Sequence, residues 1–166
     1  MRLPDSAHTS RPWRIHEIAR DFRLEDVWAL PATGRREDFP RLVRLMSGQD
    51  PARSSSRLAS ALWAIRLRLG RLLGWDDREQ ALAFSPLYEF DDEYAAQIVN
   101  RTMHGIIHLG WVPSGDGYRG QMAVLVKPNG CFGELYMAAI RPFRHLIVYP
   151  AMMRDGERLW RETAAS

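Results

Sequence analysis

Apolar positions recur at intervals of three and four through the last third of the chain. Phe132, Leu135, Tyr136, Ala139, Phe143, Leu146, Ile147, Met153 and Trp160 fall on one stripe, as the buried face of a helix does. The stripe predicts a C-terminal helix from about Phe132 to Trp160, with Asn129 as its N-cap. Pro142 and Pro150 each remove a backbone donor, so a kink is expected at one or both. Just upstream, Tyr118 to Val126 reads as a strand, with Tyr118, Met122, Val124 and Val126 apolar against Arg119 and Gln121. Lys127-Pro128-Asn129-Gly130 ends it.

The middle of the chain reads as further strands. Leu82 to Phe90 is one, weakened by Pro86. Tyr94 to Val99 and Met103 to Val112 form a hairpin around Asn100-Arg101, and Pro113 to Gly117 is a loop. The first half is less regular. Residues 1–10 read as a flexible arm, and Arg11 to Arg20 as a first strand in which Trp13 and Ile15 alternate with Arg14 and His16. Leu24 to Ala32 is expected as a short helix, Glu37 to Met46 as a second and Arg57 to Leu73 as a third. Segregated strands and helices imply an α+β fold, one domain over residues 11–162, with a curved antiparallel sheet gripped by the terminal helix.

Composition narrows the classes of function. The 166 residues, 46% of them hydrophobic, suffice for a real core. Cys131 is the single cysteine, so no intramolecular disulfide forms. Neither a secretory signal nor an apolar run long enough for a membrane span is evident, which makes a cytoplasmic location the expectation. Lys127 is the only lysine among 23 basic residues; this arginine bias fits a GC-rich bacterial genome. Those residues are spread along the chain among 20 acids, so nucleic-acid binding is not expected. The cationic face of the Arg57–Leu73 helix leaves transient membrane contact open.

Candidate chemistry begins with His104 and His108. On a strand they stand about 13 Å apart, too far for one metal ion. Strand alternation groups them with Thr102 and Ile106, opposite the more apolar Met103, Ile107, Leu109 and Trp111. The bland placement is an outer, solvated face; turned inward, either imidazole would serve as a general acid or base. Glu134 is expected to favour the helix dipole, His145 and Arg144 to be solvated, and Cys131 to be a buried structural thiol. Asp91, Asp92 and Glu93 lack a spaced partner for a metal site. Neither a metal nor a cofactor is expected.

Four motifs carry a resemblance: Asn100-Arg101-Thr102-Met103-His104-Gly105, His108-Leu109-Gly110-Trp111, Lys127-Pro128-Asn129-Gly130, and Tyr136 through Pro142-Phe143-Arg144-His145-Leu146-Ile147. Over residues 94–154 the chain resembles the uncharacterised bacterial domain-of-unknown-function family numbered 2867, placed in the START or polyketide-cyclase (SRPBCC) superfamily. The resemblance implies a helix-grip fold around a hydrophobic cavity and no particular reaction. Some relatives add a dinucleotide-binding domain, but this chain has no Gly-x-Gly-x-x-Gly after a strand. The reading is therefore a binder of a small apolar molecule, lipid or polyketide-like. Its lining would be Met103, Ile107, Leu109, Trp111, Met122, Val124, Tyr136 and Tyr149. The alternatives are a cyclase- or hydrolase-like enzyme using His104 or His108 in that cavity, and an interaction module presenting Trp63 and Trp75.

Overall fold

The computed structural model describes residues 1–47, 84–99 and 103–164, leaving aside the side chains of Phe132, Tyr136 and Ala164. Among the described residues, six antiparallel strands form one curved sheet in the order β1-β2-β6-β5-β4-β3. They are β1 (Arg2–Leu3), β2 (Arg23–Gly34), β3 (Ser85–Glu89), β4 (Glu93–Val99), β5 (Met103–Ser114) and β6 (Gly117–Pro128). The helices are α1 (Ser6–Thr9), α2 (Ile15–Ile18), α3 (Phe39–Ser47), α4 (Gly130–Phe143) and α5 (Tyr149–Ala164). A π-helical turn, Arg144–Val148, joins α4 to α5 between Pro142 and Pro150.

The second half of the chain follows its sequence pattern. β4 and β5 pair as a hairpin in unbroken register from Glu93↔Gly110 to Val99↔His104. β5 and β6 close through Gly115-Asp116, where Gly115 takes the positive φ of 59° that a two-residue hairpin loop needs. Pro86 is tolerated because β3 is an edge strand. The expected helix at 37–46 appears as a 3-10 turn, Arg36–Asp38, leading into α3. The expected Arg57–Leu73 helix and the expected Trp63 and Trp75 patch lie outside the described residues, as do Leu82, Ala83 and residues 100–102.

Three expectations are corrected. Residues 24–32 are not a helix but the heart of β2. This strand is buried on both faces, so its alternation is lost. Register shifts between Leu24/Asp26 and Ala29/Thr33 then space its apolar residues like a helix. Arg11 to Arg20 is not a strand; it contains α2, with Trp13 and Ile15 buried. Residues 1–10, read as an arm, contribute β1 and α1, and His8 is fully buried.

Two cores result, one on each side of the sheet. Trp28, Leu30, Leu109, Trp111 and Met122 pack beneath α3 and the C-terminal helix, joined there by Tyr149 and Trp160. Val27, Ala95, Ile106, Ala123 and Leu125 pack beneath the N-terminal segment, with Trp13, Ile15 and Ala19. The Trp13 ring lies directly over Gly110, where a Cβ would come within 2.8 Å of it, so only glycine admits this packing. At the far end Arg41 stacks over Trp160, and the Trp160 indole N–H donates to the Thr33 carbonyl at 3.2 Å.

Candidate functional site

The strand alternation read from β5 is correct, but its even-numbered side is not outer. His108 sits under the N-terminal segment with no exposed surface, and His104 is half-buried against Gln97 at 2.8 Å. Both therefore stand on the side of the sheet away from the C-terminal helix. That placement removes them from any cavity between sheet and helix; His104 keeps partial contact with solvent, whereas His108 has none.

His108 belongs to a buried polar chain. Its Nε2 lies 3.0 Å from Glu93 Oε1, and its Nδ1 lies 3.1 Å from His8 Nε2. Glu93 Oε1 also accepts from the Tyr88 hydroxyl and, at 3.0 Å, from the Ile15 N–H; Oε2 accepts from the Arg14 N–H at 2.9 Å. A carboxylate can only accept, so His108 donates through Nε2 and accepts from His8 through Nδ1. The His108 imidazole is then neutral. Glu93 thereby caps the first turn of α2 and ties it to β4 and β5. Burial works against its ionisation, but the bonds from His108, Tyr88 and Arg14 outweigh that and bring its pKa down to about 2. Burial lowers His8 to about 3, helped by its neighbours His108 and His16, and burial also lowers His108.

These shifts fix a pH dependence. His8 takes up a proton near pH 6.5 when unfolded and only near 3 when folded, so stability falls as pH drops through that window. Between pH 7 and pH 5 the expected loss is about 2 kcal/mol for this residue alone. Glu93 adds nothing there, because its stabilising contribution is lost only from about pH 4.5 to 2. Urea unfolding at a series of pH values measures this. A His8→Gln variant should show a shallower slope, and equal slopes in the two proteins would refute the assignment.

A second polar cluster stands on the helix side. Asp26, at the register shift in β2, is fully buried. Its Oδ2 accepts from the Tyr149 hydroxyl at 3.1 Å. His145 Nε2 approaches Oδ1 to 2.9 Å but off the hydrogen-bond direction, so neither atom has an aligned partner. Arg144 Nη2 lies 3.7 Å from Oδ2 and 3.1 Å from Glu25, while Arg2 lies 3.5 Å from Oδ1. Arg144 Nε is also buried without a partner. Burial lowers the His145 pKa against the opposing pull of Asp26, and burial raises that of Tyr149. The π turn makes this convergence: it lengthens the helical repeat at Arg144–Val148, so Arg144 and His145 turn inward with Tyr149. The expectation that Arg144 and His145 are solvated is thereby overturned, since their side chains are 13% and 18% exposed.

The expected lining residues divide. Leu109, Trp111, Met122 and Tyr149 are core. Ile107 and Val124 are half-buried and pair directly across β5 and β6, with Asp26 next to Val124 on β2. One row of neighbours therefore runs Asp26, Val124, Ile107. Met103 is half-buried at the start of β5. The Tyr136 side chain lies outside the described residues. Deeper between β2, α3 and α5, the space among Leu30, Leu42, Met46, Met152, Met153 and Trp160 measures about 10 Å³, room for about one water. Cys131 is exposed rather than buried, and Glu134 reaches Arg23 at 3.1 Å.

Sequence reading missed Asp26, Glu93 and His8 as the polar centres. The available signal was a charge set at the edge of an apolar run: Asp26 before Val27-Trp28, and Glu93 before Tyr94-Ala95-Ala96. Among the described residues no cluster of three or more His, Cys, Asp or Glu side chains is arranged to hold a metal ion, and no helix is long and apolar enough to cross a membrane. No curated protein and no solved structure matches the chain. A family model described as a protein of unknown function, DUF2867, matches residues 18–151, and the chain belongs to that family.

Proposed function

We propose that the protein binds a small, mainly apolar molecule on the helix-facing side of the sheet. Asp26, Arg144, His145 and Tyr149 orient the polar group of that molecule. The observation that carries this reading is the unmet demand at Asp26. A fully buried carboxylate oxygen, an imidazole nitrogen and a guanidinium N–H lack aligned hydrogen-bond partners within one cluster that also holds Arg2 and Glu25. A ligand offering a donor beside an acceptor, such as a hydroxyl or enol, satisfies them. Its apolar part lies along Val124 and Ile107, whose half-burial leaves surface to cover. Met103 completes this lining, whereas Leu109, Trp111 and Met122 form its floor. The helix-grip (START-like) assignment, one domain that takes in β1 and α1 as well as the expected 11–162, and a helix bent at Pro142 or Pro150 belong to the same reading.

One observation favours a second reading, turnover at the same place. Burial lowers the His145 pKa while a carboxylate stands beside its ring, the arrangement of a general base oriented by an acid. The cyclase- or hydrolase-like alternative then rests on His145 instead of His104 or His108.

Native mass spectrometry of protein purified from its own host tests binding. A co-purified small molecule is expected. Tyr149→Phe removes one hydroxyl and should weaken its retention about 5–30-fold, the cost of one hydrogen bond in a buried site. If repeated preparations carry nothing, or Tyr149→Phe retains the molecule as well as the parent, the binding site is not here. A change in the molecule's mass over time, abolished by His145→Gln, marks turnover.

A further inference from the structure

The outward face of α4 and the π turn is apolar from end to end. Nine of the described side chains between 131 and 146 are exposed, and only Glu134 and Arg141 among them are charged. Leu135, Phe143 and Leu146 are 68%, 50% and 77% exposed, with Ala138, Ala139 and Pro142 between them. Leu135, Ala139, Phe143 and Leu146 are among the residues whose spacing suggested the buried face. The side turned to the sheet carries Gly133 and Met137 instead. Together Leu135, Phe143 and Leu146 present roughly 400 Å² of apolar surface, about half of what each partner contributes to a standard interface.

We propose that this face pairs with the same face of a second copy, the two helices running antiparallel about a two-fold axis near Ala138. Charge decides the partner and the direction. Glu134 and Arg141 are seven residues apart, hence on the same flank of the stripe. In an antiparallel pair like flanks meet, so Glu134 of each copy faces Arg141 of the other. A parallel pair brings opposite flanks together and makes neither contact. Ala138 and Ala139 at the centre let the helix axes approach, and Leu135 and Phe143 pack to either side. A membrane-surface helix would instead carry a cationic flank, whereas this one is balanced by Glu134. The face is self-complementary, as a two-fold interface requires.

Sedimentation velocity across a range of concentrations tests this, with circular dichroism checking that each variant folds. The unaltered protein should sediment with twice the mass of one chain. Glu134→Arg sets arginine against Arg141 of the other copy and should weaken self-association at least tenfold. It also loses the exposed pair with Arg23, which adds little to the fold. The exchange Glu134→Arg with Arg141→Glu should restore association. Ala138→Cys in a Cys131→Ser background should cross-link two chains on mild oxidation. A single-chain mass at every concentration overturns the proposal. So does a folded Glu134→Arg that associates undiminished, an exchange variant that stays apart, or an unaltered protein that remains single and floats with anionic phospholipid vesicles.

Discussion

Glu93→Ala should lower the unfolding free energy by about 3–5 kcal/mol, the cost of removing one partner from a buried charged network. Four donors lose their acceptor together: the His108 ring, the Tyr88 hydroxyl and the N–H groups of Arg14 and Ile15. The loss falls unevenly on the molecule. β4 and β5 keep their ladder, but α2 loses its only described attachment through a charged side chain. Hydrogen exchange should therefore accelerate most across residues 8–19, well before β5 and β6 open. Glu93→Gln keeps the volume and one acceptor oxygen, so its cost should be intermediate. Chemical denaturation with Trp13 among the emitting fluorophores reads both variants. A loss below about 1 kcal/mol for Glu93→Ala would mean that the N-terminal segment is held by its apolar contacts alone.

How far the fold could be read depends on what covers each strand. β5, β6 and the terminal helix were legible because turn residues bound them sharply: Gly115-Asp116 between the strands, and Pro128-Asn129-Gly130 before the helix. β2 was not. A strand covered on both faces carries Val27, Trp28, Ala29 and Leu30 in succession, and two register shifts remove what alternation remains. The N-terminal segment was illegible for another reason. Two apolar residues, Trp13 and Ile15, fit a period of two or of three to four equally well, and only the pocket over Gly110 decides between them.

The direction of the terminal helix was also beyond periodicity. Its first half is apolar on nearly every side, so a stripe can be drawn through Leu135 and Phe143 as readily as through Gly133 and Met137. The sheet takes the side of Gly133 and Met137. The inward turn of Arg144 and His145 depends on the π repeat, which no spacing rule built on 3.6 residues anticipates. Tyr149, expected in the lining, is a buried ring whose hydroxyl needs a hydrogen-bond partner, and Asp26 is that partner. Reading Leu24 to Ala32 as a helix hid Asp26, because a helix would have turned it to solvent.

Asp26→Ala is expected to cost about 3–5 kcal/mol for the same reason as Glu93→Ala, but its logic separates packing from function. The truncation leaves Arg144 and His145 partly buried beside no anion except Glu25 and strands the Tyr149 hydroxyl. If the cluster served the fold alone, replacing all of it by apolar side chains would bring no gain. A buried ionic group of imperfect geometry behaves otherwise: Asp26→Leu with Arg144→Leu and His145→Leu should regain most of the loss, or exceed the parent protein. Asp26 Oδ1 and Arg144 Nε are why a gain is expected here, since both are buried without an aligned hydrogen bond. Stability that rises in the triple variant while the co-purified molecule disappears identifies a site kept at the expense of the fold. Thermal and urea unfolding of the three proteins decide it. An Asp26→Ala variant within about 1 kcal/mol of the parent would show that water already satisfies the carboxylate, and that the cluster makes no special demand for a ligand.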